Sequence, residues 1–138
     1  MLIGSRLMYL KRTLFIMILS FISYNCRRPL TMSFPTLALI TDFGNRDGYA
    51  GIVKGVIYRT IQSEALLSQS QPHPPVIDIS HEIAPQDIRQ AAWVLASCYR
   101  DFPENTIFVC VVDPKVGESD QQGLLLYWPE RHQYFIAP

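Results

Sequence analysis

Apolar residues along this chain fall into short unbroken runs that alternate with stretches of helical spacing. Leu37-Ala38-Leu39-Ile40 has no polar interruption and stops at Thr41-Asp42-Phe43-Gly44-Asn45, which predicts a buried strand and a turn. Tyr49, Ile52, Val53, Val56, Ile57 and Ile61 then recur at the spacing of one helix face, predicting a helix from about Asp47 to Ile61. Asp47 near its start suits the positive end of the helix dipole. Residues Ser68 to Pro75, rich in Ser, Gln and Pro, read as a loop longer than most connections. Val76 to Ser80 is a second strand. A second helix is expected from about Pro85 to Arg100, with Pro85 in its first turn and Ile88, Ala91, Ala92, Leu95 and Tyr99 on one face. Thr106 to Val112 is apolar on both faces, as parallel strands covered by helices on both sides are. Leu124 to Tyr127 and Tyr134 to Ile136 predict two more strands, joined by a polar turn around Glu130.

Strand, helix, strand, helix, strand is the order of an α/β domain. It predicts three layers, with a mostly parallel sheet and right-handed crossovers. There is no internal repeat.

Residues 1–31 differ from the rest. Arg6, Lys11 and Arg12 precede an apolar run from Leu14 to Ile22, the layout of a secretory signal or membrane anchor in residues 14–23. The run is short for a span. Ser23-Tyr24-Asn25-Cys26 supplies no small-residue cleavage site, and Cys26 lacks the small residues that precede a lipidated cysteine. Met32 stands just before the first domain element, so an overextended start and a buried or disordered extension are competing explanations. The expected division is an extension over 1–31 and a domain over 32–138, in a cytoplasmic protein, with membrane contact only if residues 14–23 are an anchor.

Composition narrows the function. Of 138 residues, 49% are apolar, enough for a core, and twelve basic residues balance twelve acidic ones. A neutral chain without a basic stripe gives no electrostatic case for nucleic acid or an anionic membrane as partner. Cys26, Cys98 and Cys110 form no CxxC pair, and the three histidines show no HExxH spacing, so no metal site is expected. Cys98 and Cys110 read as buried free thiols.

In open parallel sheets, ligands bind beyond the carboxyl ends of the strands. Asp42, Asp78 and Asp113 lie at or near three such ends. A carboxylate there can accept the hydroxyls of a ribose, bind a metal or act as a base. Each taken singly is also an ordinary turn former; together, with Gly44 and Gly117 nearby, they point to a site. His81 is a candidate base or a loop cap. Lys54 reads as solvated or snorkelling, and Trp93 as packing. Asp42-Phe43-Gly44 spells the kinase metal-binding tripeptide, but the chain has no Gly-rich loop or His-Arg-Asp segment to accompany it. It also has no P-loop and no GxGxxG.

Four segments in order carry a family resemblance. They are Ile40 to Gly44 with Asp47-Gly48-Tyr49-Ala50-Gly51 and Lys54-Gly55; Asp78 to Ile83 with Pro85 to Arg89; Val111 to Pro114 with Val116-Gly117; and Tyr134 to Pro138. Over about residues 36 to 138 the chain resembles the superfamily of adenosine-forming S-adenosylmethionine (SAM) hydrolases, the fluorinase and the chlorinase. The resemblance implies the N-terminal α/β domain of a two-domain fold, with a C-terminal β-barrel domain that these residues do not include, and homotrimers with sites between subunits. It implies a nucleophile attacking the ribose C5′ of SAM, with methionine leaving and no metal or other cofactor. By position, Asp42 would hold the ribose hydroxyls, and Asp47, Gly48 and Tyr49 would line the same pocket. Asp113 matches the catalytic aspartate of the hydrolases, which implies water as nucleophile rather than halide.

The pattern also departs from the family. Lys115 replaces a glycine, and Asp120 followed by Gln121 occupies the place of the catalytic arginine. The Asp-Asn-Gly and histidine expected after the last strand do not occur in residues 1–138. These 138 residues are therefore expected to be inactive by themselves. A nucleoside-binding protein without turnover and a degenerate fragment without ligand are the alternatives.

Overall fold

The computed structural model describes residues 35–65, 73–114 and 123–138. Its elements are β1 (Leu37–Thr41), α1 (Tyr49–Ala65), β2 (Val76–Ser80), α2 (Ile88–Cys98), a 3-10 turn at Tyr99–Asp101, β3 (Ile107–Val111), β4 (Leu124–Trp128), a second 3-10 turn at Pro129–Arg131 and β5 (Gln133–Ala137). The five strands form one sheet in the order β2-β1-β3-β5-β4. β2, β1, β3 and β5 run parallel, and β4 closes one edge as the antiparallel partner of β5. The expected α/β architecture with a mostly parallel sheet is what the chain adopts.

Strand side chains alternate between faces, so an entirely apolar central strand serves two cores at once. Leu37 and Leu39 of β1, with Ile107, Val109 and Val111 of β3, meet Val53, Ile57 and Ile61 of α1. Ile40 and Val112 point the other way, to Ala91 of α2 and to Ile83, with Val94, Leu95 and Cys110 packed around them. The three layers follow from that division.

The second helix differs from expectation. Pro85 lies before it, in a turn closed by the Asp87 N–H donating to the Ala84 carbonyl at 3.0 Å, with Gln86 at φ 64°. Proline second and a positive φ third is the arrangement of a type II turn, which uses the same fixed proline φ that a first helical turn would use. Asp87 is the N-cap, accepting from the N–H groups of Arg89 and Gln90. Its inward stripe runs through buried Ala91 and half-buried Val94, Leu95 and Cys98, and on to Tyr99 at the C-cap. Ile88 is 55% exposed, Ala92 is exposed, and Trp93 is 75% exposed and does not pack as expected. The first helix begins two residues later than expected and continues to Ala65.

Gln133 opens β5 fully buried. Its Nε2 donates to the carbonyls of Tyr99, Phe102 and Pro103, tying the end of α2 to the sheet. The apolar run from Leu14 to Ile22, Cys26, Lys115, Gly117, Asp120 and Gln121 lie outside the described residues. No helix among the described residues is long and apolar enough to cross a membrane.

Candidate functional site

The strand order fixes where a ligand would bind. From β1 the chain crosses to β2 on one side, then to β3 on the other. The two connections diverge past the carboxyl ends of β1 and β3, and such a switch point opens a crevice. Thr41 and Val111 are in register at those ends. Asp42 therefore stands one residue beyond its strand and Asp113 two beyond the neighbouring strand, both half-buried. Asp78 does not join them. It sits in the middle of β2, opposite Leu39, about 10 Å of strand rise before Asp42.

The loop after β1 is laced to the loop after β2. The Gln86 N–H donates to Asp42 Oδ2 at 2.9 Å, and the Ile83 N–H to the Thr41 carbonyl at 3.3 Å. The Asn45 backbone N–H and side-chain Nδ2 both donate to Glu82 Oε1 at 2.9 Å. The Gly44 N–H donates to the His81 carbonyl at 2.7 Å. Gly44 has φ 74°, and a Cβ there would meet nothing within 4 Å. The left-handed backbone, not lack of space, is thus what favours glycine.

Asp47, Gly48 and Tyr49 follow in the same loop. Asp47 Oδ1 accepts the Tyr49 N–H at 3.0 Å, satisfying a donor at the start of α1. The Tyr49 ring meets Phe43 edge-on, with centroids 4.6 Å apart, and both pack on the α1-side core. Gly48 is exposed. Asp42, Asp47 and Gly48 thus share one loop that leads into Tyr49 at the start of α1, and Asp113 follows the neighbouring strand β3.

A polar chain runs beneath the loop. Lys54 Nζ donates to Asp78 Oδ2 at 2.6 Å, so Lys54 is ion-paired while still a third exposed. Asp78 Oδ1 lies 3.1 Å from His81 Nε2, off the line of a well-formed hydrogen bond. His81 Nδ1 is 2.8 Å from Thr41 Oγ1. Burial pushes the Asp78 carboxyl up, but the Lys54 hydrogen bond and the nearby His81 ring outweigh it and hold it below its usual value. Asp-His-Thr has the composition of a nucleophilic triad, yet Thr41 is 1% and His81 3% exposed. Neither reaches a substrate, so His81 is no base for the crevice.

Cys98 and Cys110 are free thiols, half-buried rather than fully buried. Burial, with a small contribution from Cys98, pushes the Cys110 thiol up to about 12. Among the described residues no cluster of His, Cys, Asp and Glu could hold a metal. Sequence reading missed the laced loops, and with them Gln86 and Glu82. Proline followed by Gln86 before an N-cap aspartate was the available turn signal.

Residues 37–138 match the family described as the SAM hydroxide adenosyltransferase N-terminal domain. A protein named (R)-S-adenosyl-L-methionine hydrolase from Methanocaldococcus jannaschii is 37% identical over 102 residues, 74% of this chain and 35% of that protein. One of the same name from Thermus thermophilus is 37% identical over 80 residues, 58% of this chain and 28% of its own. A solved structure, a conserved hypothetical protein from Thermus thermophilus, superposes with a TM-score of 0.58 at 30% identity, covering 76% of this chain and 38% of that one. The chain spans about a third of the length of these relatives. With the fold, the crevice and the ordered motifs in agreement, the chain belongs to the SAM hydroxide adenosyltransferase family, matching its N-terminal domain over residues 37–138.

Proposed function

We infer that the crevice beyond β1 and β3 binds the adenosine portion of SAM, with Asp42 accepting the ribose hydroxyls. The observation that carries this is the placement of Asp42 at the switch point with Oδ2 fixed by the Gln86 N–H. A carboxylate has a second oxygen, and Oδ1 is the one that would meet the sugar. Asp47, Gly48 and Tyr49 line the same loop, and Tyr49 presents an aromatic edge close by.

The reaction at this site would be attack of water on C5′. The C5′–S bond breaks, methionine leaves with the electron pair, and the water proton is lost to give adenosine. A sulfonium leaves readily, so the main work is to desolvate and aim the water. Asp113, across the crevice from Asp42, would orient that water. Trimeric assembly with sites between subunits, a cytoplasmic location and the lack of any cofactor belong to the same reading.

Asp120 supports a second reading, binding without turnover. It stands where the resemblance places an arginine, so the positive charge that would orient a catalytic carboxylate is replaced in the sequence by a negative one. Two assays on the 138-residue protein separate the possibilities. Calorimetric titration with adenosine should show saturable binding; none would overturn the nucleoside reading. Incubation with SAM followed by chromatography should give no adenosine. Robust release would show that neither the arginine nor further chain is needed.

A further inference from the structure

The geometry points to His81 as the positioning residue of the adenosine site, setting the direction of the Asp42 carboxylate without touching the ligand. This rests on the adenosine-binding reading of Asp42. At 3% exposure the imidazole can meet only protein. It nevertheless grips the turn that carries Asp42 at both ends. Its Nδ1 bonds the hydroxyl of Thr41, the residue before Asp42, and its carbonyl accepts the N–H of Gly44, two residues after. The same Thr41 hydroxyl accepts the Phe43 N–H at 3.3 Å, so one oxygen bridges the residues on either side of Asp42.

The polarity of the chain is consistent along its length. The Asp78 carboxylate can only accept, so the tautomer that suits Nε2 at 3.1 Å from Oδ1 is the one with its hydrogen on Nε2. In the imidazole tautomer with that hydrogen, Nδ1 is an acceptor and Thr41 Oγ1–H donates to it. A lone pair of Oγ1 is then left for the Phe43 N–H. Reversing the tautomer would set two acceptors face to face at 3.1 Å and remove the donor that Thr41 satisfies. Lys54 anchors the far end through Asp78. A path therefore runs from α1 through β2 to the peptide that follows Asp42. Glu82, Gln86 and Ile83, all within five residues of His81, hold the rest of the loop. Without the imidazole the Thr41 hydroxyl would lose its acceptor inside the protein, and the turn would keep its backbone ties but lose the side-chain one next to Asp42.

Three variants isolate the contact, because asparagine places a polar atom where Nδ1 sits and glutamine where Nε2 sits. In calorimetric titrations with adenosine, His81→Gln and His81→Leu should raise Kd about three- to tenfold. His81→Asn should stay within about twofold of the native protein. Amide hydrogen exchange without ligand supplies a second readout. Phe43 and Gly44 should exchange faster in His81→Gln and His81→Leu, while Ile57 and Val109 keep native protection. Equal Kd values for the Asn and Gln variants, native affinity in all three, or loss of protection spread evenly through the core would each overturn the assignment. If the native protein binds no adenosine, the nucleoside reading falls. The exchange pattern still decides whether His81 orders the turn: unchanged protection at Phe43 and Gly44 overturns it, and local loss reversed by asparagine supports it.

Discussion

β1 and β4 are both five-residue apolar strands of one sheet, yet every residue of Leu37–Thr41 is buried and every residue of Leu124–Trp128 is exposed. Composition does not separate them; Leu-Ala-Leu-Ile-Thr is no more apolar than Leu-Leu-Leu-Tyr-Trp. Position does. β1 is central, with α1 on one face and α2 on the other, and both its neighbours are parallel. β4 is an edge strand with β5 on one side, and its five side chains are 45–53% exposed. An apolar strand thus states that it can be covered on both faces, and the order of strands decides whether it is. The crevice forms at the well-covered end of the sheet, where the strands that position Asp42 and Asp113 are held rigidly.

The difference can be tested by truncating one leucine in each strand. Leu39→Ala removes a fully buried side chain and should cost about 2–5 kcal/mol in denaturant unfolding. Leu125→Ala on the edge should stay within about 0.5 kcal/mol. Similar costs at both positions would mean that β4 is covered in solution. A smaller effect sharpens the boundary of the covered half. Asp87→Ala removes the side chain that accepts from the N–H groups of Arg89 and Gln90, and should lower stability by about 1 kcal/mol. An unchanged midpoint would show that α2 starts elsewhere.

The smallest effect concerns pH. The Asp78 carboxyl is held below its usual value in the folded protein, so its stabilisation is present above the unfolded value and is lost as pH falls through the folded one. The loss should fall below about pH 4 and, for a pair this exposed, amount to under about 1 kcal/mol. Urea midpoints from pH 7 to 3 should therefore drop less steeply for Asp78→Asn than for the native protein. Parallel curves would remove Asp78 from the acid response.

Much of the covered half was legible in the sequence. Continuous apolar runs with turn residues after them define β1 and β3 to within a residue or two, because a strand covered on both faces tolerates no polar position; β2, an edge strand with Asp78 at its middle, is marked only by the apolar residues around that aspartate. Asp42 and Asp113 stood out as residues following those runs, whereas Asp47, Gly48 and Tyr49 were implied only by the family resemblance. What sequence could not show is how the loops are joined. The contacts of His81 with Thr41 and of Gln86 with Asp42 link residues about forty positions apart, and local spacing carries no trace of them. The partner of Lys54 was hidden for the same reason, Asp78 being on another element. Pro85 misled because its fixed φ serves a type II turn as well as a first helical turn. The inward face does run through Ala91, Leu95 and Tyr99, but it continues through Val94 and Cys98, which leaves Ile88, Ala92 and Trp93 on the exposed side.

The central claim is that the Asp42 carboxylate meets the ribose hydroxyls. A thermodynamic cycle tests it most directly: calorimetric titration of the native protein and Asp42→Ala, each with adenosine and with 2′,3′-dideoxyadenosine. Removing the carboxylate should weaken adenosine binding by about 1.5–3 kcal/mol, roughly ten- to a hundredfold, and removing the hydroxyls should do much the same. Because the two changes delete one interaction, the second should cost little once the first is made. Fully additive penalties, or an Asp42→Ala variant that binds adenosine as tightly as the native protein, would contradict it.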